Sequence, residues 1–531
     1  MKNLKNDLEN IIWSKIKTLD KRIWVVLFSS IIWGIFAHGI VFFNKYSIRS
    51  DVTHLFDIGV TYTSGRWMLG ILGKLHRILF GGGFYSLPLF NGFISILCIA
   101  FSVYLIIHLF DIKQMGLCIA ITGILVSFPV ITGIFMFMFT APYYMIAILF
   151  AVSGVWIACK KTNVLYYLVG VLLMSCSIGI YQAFIPMMIS LVLLCFIFKL
   201  ITATSNKAKE FILSGLYLAG TVISSVLLYF IINKCILAYK GLNLNTYKNI
   251  DTMGKEPISV YLSRIPTAFY YFFNTEKIDN YTSMFPFRIR HFYIIILLFT
   301  AILSLYVIVQ TFRKNVFRGI LLTLSVLMLP LTFNFIFIMC GEGIYTLMFY
   351  GQAMLFVYLV LLINIFEFPK LNITRAVYGF GTTLLLFLSF SYCRYANMNY
   401  LKAEYEQQRM ISYFTVLITQ IKSVEGYQDE MPVCYINSGN KKDLTLKELS
   451  GFDLFYTVPD DRIEENVNNY AWIKFMNNWC AFSPKTVNAE DFVDLPEVID
   501  MPYYPDDGSI KIINDTVVVK FGFFVGPIQE K

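Results

Sequence analysis

The run "IWVVLFSSIIWGIFAHGIVFF" (residues 23–43) is followed, after Asn44 and Lys45, by "YSIRSDVTHLFDIGVTYTSGRWMLGIL" (residues 46–72). The first run holds 21 residues and no Asp, Glu, Lys or Arg. About 20 apolar residues suffice to cross the hydrocarbon core of a bilayer as a helix. The second run opens with Arg49, Asp51, His54, Asp57 and Arg66, then turns apolar again. A crossing with a polar collar at its mouth therefore sets the reading of the whole chain.

Composition extends that reading outward. Of the 531 residues, 57% are hydrophobic and 15% charged, whereas soluble domains carry about 25% charged residues. The chain reads as an all-α polytopic membrane protein, because lipid offers no hydrogen-bond partner to an unpaired backbone group. Apolar stretches at 23–43, 85–110, 115–137, 141–159, 164–177, 178–198, 210–238, 291–312, 317–340, 344–366 and 376–392 predict about eleven transmembrane helices. The border between the fifth and sixth carries Gly179 and Tyr181 and reads as a tight turn, with one kinked helix as the alternative.

Charge supplies a topology, since Lys and Arg accumulate in short cytoplasmic loops. The N-terminal segment 1–22 carries Lys2, Lys5, Lys15, Lys17, Lys21 and Arg22. Every second loop is basic: Lys113; Lys160 and Lys161; Lys199, Lys207 and Lys209; Arg313, Lys314 and Arg318; Lys370 and Arg375. The N-terminus is thus expected inside. The first apolar run is too long for a cleaved signal peptide and no small-residue cleavage site follows it. Outside fall the loops 44–84 and 238–290, the tips near Thr140, Tyr181 and Glu342, and the tail. Arg66, Lys74, Arg77, Arg288 and Arg290 break the charge bias on that side, and need an anionic partner such as a lipid head group or phosphate.

Residues 23–400 form the membrane domain. Residues 401–531 carry 12 Lys and Arg against 21 Asp and Glu, a net −9, while the rest of the chain is +18. Such asymmetry marks two parts with different surroundings. "MPVCYIN" and "TVVVKFG" read as strands, "LTLKELSGFDLFY" and "NYAWIKFMNNWC" as short helices. A small C-terminal extracytoplasmic α/β domain is expected. Eight of the ten cysteines lie in or beside apolar runs; Cys434 and Cys480 in the tail read as a disulfide or as two buried thiols.

No CxxC, HExxH or histidine cluster points to a protein-held zinc, and no Gly-rich loop follows a strand, so neither a nucleotide cradle nor a nucleic-acid partner is expected. The Gly81–Gly83 triplet reads as a turn before a span. An enzyme on the outer face has no nucleotide-activated substrate at hand and must draw on a lipid carrier, which favours polyprenyl-linked donors.

Three segments carry a resemblance: "DVTHLFDIGVTYTSGRWMLGIL", "FMFTAPYYMIAILFAVSGVW" and "SIGIYQAFIPMMISLVLL". In order and spacing, over roughly residues 20–390, they resemble the GtrII-type glucosyltransferases, serotype-converting membrane enzymes. The resemblance implies a GT-C fold, a catalytic carboxylate in the first external loop, and glucose transfer from undecaprenyl phosphate to a surface glycan. It also implies two separate partners, a donor synthase and a small flippase.

The residues give their own account beside it. Attack on an anomeric carbon needs a base for the acceptor hydroxyl, and a carboxylate serves. Asp51 is the first candidate and Asp57 the second; Asp51 also reads as a helix N-cap, and Asp57, some 120° round a helix from it, as a solvated carboxylate. The leaving phosphate needs cations. Arg66 is the first candidate, with Arg49, Arg288 and Arg290 behind it; each also reads as an interface anchor. Trp67, Tyr143, Tyr181, Gln182 and Glu342 are candidate sugar or acceptor contacts. The aromatics also fit a membrane-border belt, Gln182 a bond to a neighbouring backbone carbonyl, and Glu342 a turn carboxylate.

The reading is an inverting glycosyltransferase in a bacterial plasma membrane, moving a hexose, most simply glucose, from a polyprenyl-phosphate carrier to a cell-surface polysaccharide or wall glycan. A monophosphate donor demands no metal cofactor, though a divalent ion is compatible. A lipid-linked polysaccharide flippase or exporter is a rival, but would line its spans with charge, and here the span middles are nearly free of it. A glycan polymerase is a closer rival.

Overall fold

The computed structural model describes residues 18, 20–46, 49–160, 163–204, 207–246, 254–274, 290–340, 344, 346–437 and 470–522; Arg288 and Glu342 lie outside them, as do the side chains of Arg49 and Arg290. Among the described residues each of the eleven apolar stretches is mostly helical. Among the described residues eight helices are long and apolar enough to cross a membrane. A further pair, Met115–Ser127 and Pro129–Phe135, is bent by 46°. Two shorter apolar helices are Val164–Ile180 and Tyr350–Ile365. The bend falls at Phe128, which is forced out of helical backbone by the proline after it.

In chain order the helices used below are α1 (Lys21–Phe43), α2 (Arg49–Thr53), α3 (Trp67–Phe80), α4 (Pro88–Leu109), α5 (Met115–Ser127), α6 (Pro129–Phe135), α7 (Ala141–Lys160), α8 (Val164–Ile180), α9 (Ile185–Thr202) and α10 (Ala208–Lys240). After them come α11 (Ile258–Ser263), α12 (Ile265–Phe273), α13 (Arg290–Lys314), α14 (Val316–Phe333), α15 (Ile336–Cys340), α16 (Met354–Ile365), α17 (Leu371–Lys422), α18 (Tyr470–Cys480) and α19 (Pro496–Ile499). Helix α1 packs on α4 and α5, α7 lies between α4 and α8, and α9 packs on α14. Lipid tails are as apolar as Leu, so helices in a membrane join through close packing of small residues. At the α7–α8 contact a Cβ on Gly154 would lie 2.8 Å from the carbonyl oxygen of Gly170, and one on Gly170 would lie 2.9 Å from that of Gly154. Between α8 and α9 the helix is broken at Tyr181, whose backbone is extended.

The two ends of the bundle differ. At one end Arg22 pairs with Asp20 at 2.6 Å and donates to the Ile112 carbonyl at 3.0 Å, beside the Asp111–Lys113 pair. Buried Arg318 reaches the last carbonyls of α9, donating to Leu200 at 3.0 Å and Ile201 at 3.3 Å, where the helix dipole favours a cation. These are loops that the charge pattern assigns to one side. At the other end the 44–84 loop meets the tips near Thr140 and Tyr181, while Arg264 of the 238–290 segment donates to the Ile338 carbonyl at 3.2 Å.

The last crossing does not stop at the expected border. Helix α17 holds 52 residues, about 78 Å at 1.5 Å per residue. It runs unbroken past residue 400 and becomes the first helix of the C-terminal unit. That unit closes on a four-stranded sheet: β1 (Val433–Ile436), β2 (Thr486–Val487), β3 (Ile510–Ile513) and β4 (Thr516–Lys520), in the order β2-β1-β4-β3. Strand β1 runs parallel to β2 and β4; β3 and β4 form an antiparallel hairpin. Its turn residues Asn514 and Asp515 take φ of 49° and 54°, as such two-residue turns require. The expected strands are β1 and β4, and the "NYAWIKFMNNWC" helix is α18. The "LTLKELSGFDLFY" segment lies outside the described residues. Cys434 and Cys480 are free thiols, so the disulfide alternative is set aside.

The α7–α8 contact has a direct check. Gly170→Val puts methyl groups into the facing backbone and is expected to cost about 1–3 kcal/mol, as overpacking does. The unfolding temperature of the detergent-solubilised protein should fall; an unchanged value would mean that the two backbones do not touch.

Candidate functional site

The polar collar is built from two turns. The first is the 3₁₀ turn Tyr62–Ser64, closed by Gly65 at φ +67°. A Cβ at Gly65 would sit 2.5 Å from the Tyr229 hydroxyl and 2.8 Å from Gln182 Nε2, so backbone conformation and space both call for glycine. Gln182 Nε2 donates to the Ser64 carbonyl at 2.8 Å and to the Tyr229 hydroxyl at 3.0 Å. Tyr229 in turn donates to the Gly65 carbonyl at 3.1 Å, and the Asn245 N–H to Thr63 at 2.9 Å. Gln182 thus has the backbone carbonyl that its alternative reading called for.

This turn sets Arg66 at the foot of α3. The guanidinium lies over the Tyr181 ring, 5.1 Å from its centre, and Nη1 donates to the Tyr144 hydroxyl at 3.3 Å. Tyr144 and Tyr181 stack at 4.5 Å. Trp67 is buried and lies against Gly179, where a Cβ would come within 2.5 Å of the indole. Its Nε1 is a buried donor with no partner among the described residues. Arg66, Trp67, Tyr181 and Gln182 are therefore brought together. The buried face of α3 is made of Trp67, Leu69, Gly70 and Gly73. Ile71, Leu75, Ile78 and Phe80 are exposed beside Lys74 and Arg77.

An aromatic row leads away from Arg66. Tyr143, next to Tyr144, has its ring 6.4 Å from that of His76, which stacks on Tyr85 at 4.5 Å. Burial lowers the His76 pKa. Tyr85 donates from its hydroxyl to Gly73 at 3.1 Å and from its N–H to Leu55 at 2.8 Å. Its chain neighbour, Ser86, opens the second pocket.

That pocket belongs to Asp51, whose carboxylate is fully buried. Ser86 donates to Oδ1 at 2.6 Å, and Lys45 Nζ contacts Oδ2 and also donates to the Ser86 hydroxyl at 2.8 Å. Burial pulls the Lys45 ammonium down to about 7. Asp51 is the third residue of α2, so it is not the N-cap that the alternative reading described. The Lys45 amine and the Ser86 hydroxyl between them occupy both carboxylate oxygens.

Asp57 lies apart from Asp51. Helix α2 ends at Thr53, so the expected helical relation between the two carboxylates does not hold. Asp57 is 57% exposed and accepts from His54 Nδ1 and from the Gly59 N–H, each at 2.6 Å. The His54 ring rests 5.0 Å from Phe139. Lys45 and Ser86 are the site neighbours that sequence reasoning missed, although Lys45 precedes Asp51 by only six residues; His54 stood in the collar without an assigned role. Among the described residues no three His, Cys, Asp or Glu side chains converge as a metal site.

A bundle of apolar helices, with its buried carboxylate and its aromatic-held guanidinium gathered at one end, defines a polytopic membrane protein with a polar site at the end of the bundle. Residues 39–364 match the family model described as glucosyl transferase GtrII. The chain belongs to that family, whose chemistry is glucosyl transfer. No curated protein and no solved structure matches it.

Gln182→Ala removes the donor that ties Ser64 to Tyr229 and leaves a buried carbonyl unsatisfied, a loss of about 1–3 kcal/mol. Limited proteolysis of the folded protein should then cut near residues 62–66 faster than in the wild type. Equal rates would show that the turn holds without Gln182.

Proposed function

We propose that the chain is an inverting glycosyltransferase that moves glucose from a polyprenyl-phosphate carrier to a surface polysaccharide or wall glycan on the outer face of a bacterial plasma membrane. The observation that carries the proposal is the family match over a region in which the tips near Thr140 and Tyr181 meet the loop that holds Arg66, with Asp51 in a second pocket of the same loop. A lipid-borne donor reaches its enzyme from the membrane border. The exposed apolar face of α3, with Lys74 and Arg77 on it, suits that border.

In this reading Arg66 receives the donor phosphate, since a guanidinium binds phosphate through two parallel hydrogen bonds. The acceptor oxygen bonds to C1 of the sugar on the face opposite the phosphate. The C1–O bond to phosphate breaks, and its electron pair stays on the phosphate oxygen. The acceptor proton passes to the Asp51 carboxylate. Asp51 is sealed in the resting protein, so substrate binding has to uncover it; catalytic contacts commonly tighten only in the complex. A separate synthase and a flippase supply the donor, and no metal takes part in the proposed steps.

The test is glycan analysis of a host strain carrying the intact chain, Asp51→Asn or Arg66→Gln. Loss of the base is expected to slow transfer by about 10²–10⁴-fold, so the side-branch hexose should vanish at equal protein abundance. An unchanged glycan in the Asp51→Asn strain would remove Asp51 from the reaction.

A further inference from the structure

The family match stops at residue 364, yet the C-terminal unit beyond it reaches back to Asp51. Val52, the next residue, is 2% exposed and belongs to the hydrophobic core of that unit, packed with Met410, Phe414, Trp472 and Phe475. Asn478 Nδ2 of α18 donates to the Val52 carbonyl at 3.3 Å. On the other flank, Gln407 Nε2 of α17 donates to the Lys45 carbonyl at 3.1 Å, and the Tyr46 hydroxyl to Glu404 at 3.4 Å. Both sides of the Asp51 turn are thus tied to elements outside the matched region.

A five-residue helix has little stability of its own, because one turn fixes several dihedrals for one hydrogen bond. What it packs against decides where it sits. Moving Val52 out of that apolar core would return a buried Val side chain to water, which the hydrophobic effect opposes. The turn and the C-terminal unit therefore move together or not at all.

We infer that the C-terminal unit positions the Asp51 carboxylate, with Val52, Gln407 and Asn478 as positioning residues. The unit is part of the catalytic assembly and not a separate module. This rests on the proposal that Asp51 is the base. A misplacement on the order of 1 Å costs about 100-fold in rate, so loosening the anchor should lower kcat without touching the donor site at Arg66.

The experiment uses the full chain in detergent with a lipid-phosphate-linked glucose donor. Val52→Ala and the Gln407→Ala/Asn478→Ala double variant are expected to lose kcat by about 10- to 100-fold, with donor KM within twofold. Val52→Ile, which keeps a β-branched apolar side chain in the core, should stay closer to the wild-type rate than Val52→Ala. Unchanged kcat in both folded variants overturns the inference. A second readout is independent of activity: maleimide labelling of Val52→Cys should be slow in the full chain and accelerate when Trp472→Ala is added. Labelling that is fast from the start, or that Trp472→Ala leaves slow, overturns the docking itself. An active Asp51→Asn enzyme whose labelling follows the expected pattern would instead sink the base assignment and leave the docking standing.

Discussion

Hydrocarbon offers nothing to a polar group, and most of this structure follows from that. Every backbone amide in the bundle must be paired within its own helix. Charged and amide side chains are driven to the ends of the helices, where they still have to be paired once the chain folds over them. Ser64, Gly65, Gln182, Tyr229 and Asn245 form such a set, contributed by four separate parts of the chain. Asp51, Lys45 and Ser86 form another. The collar is a place where polar groups are obliged to find one another, and that gives it the density of chemistry a site needs.

The same constraint separates what holds the collar from what can act there. Gln182 and Tyr229 spend their hydrogen bonds on a turn that only glycine can make at position 65. Trp67 is spent on a contact that needs Gly179. Arg66 is different: an aromatic face and a phenol orient its guanidinium at the start of an interfacial helix. Asp51 is held in a sealed pocket by Lys45 and the Ser86 hydroxyl. Positioning by the fold and availability for chemistry are thus divided between residues that stood side by side in the sequence.

The C-terminal unit changes how the protein is divided. Its charge, −9 against +18 for the rest, marks it as a separate part. Its first helix is nevertheless the last crossing, and one of its core residues is Val52. A boundary drawn from composition falls in the middle of a continuous helix, because charge reports what surrounds a segment and not where its backbone ends.

The sequence by itself determined the helical membrane class, the eleven apolar stretches, the alternation of basic and non-basic loops and the presence of strands in the tail. These depend on local composition and on periods of a few residues, which hydropathy and charge report directly. It also singled out Asp51, Arg66, Tyr181 and Gln182, because polar residues beside apolar runs are conspicuous. Tertiary structure alone decided that Arg66 meets Tyr144 and Tyr181 while Asp51 meets Lys45 and Ser86. It alone decided that α2 ends before Asp57 and that Val52 belongs to a core some 400 residues away along the chain. Such partners are set by how helices pack against one another, and helix packing in lipid turns on small residues and backbone contact, whose pairings no local pattern records.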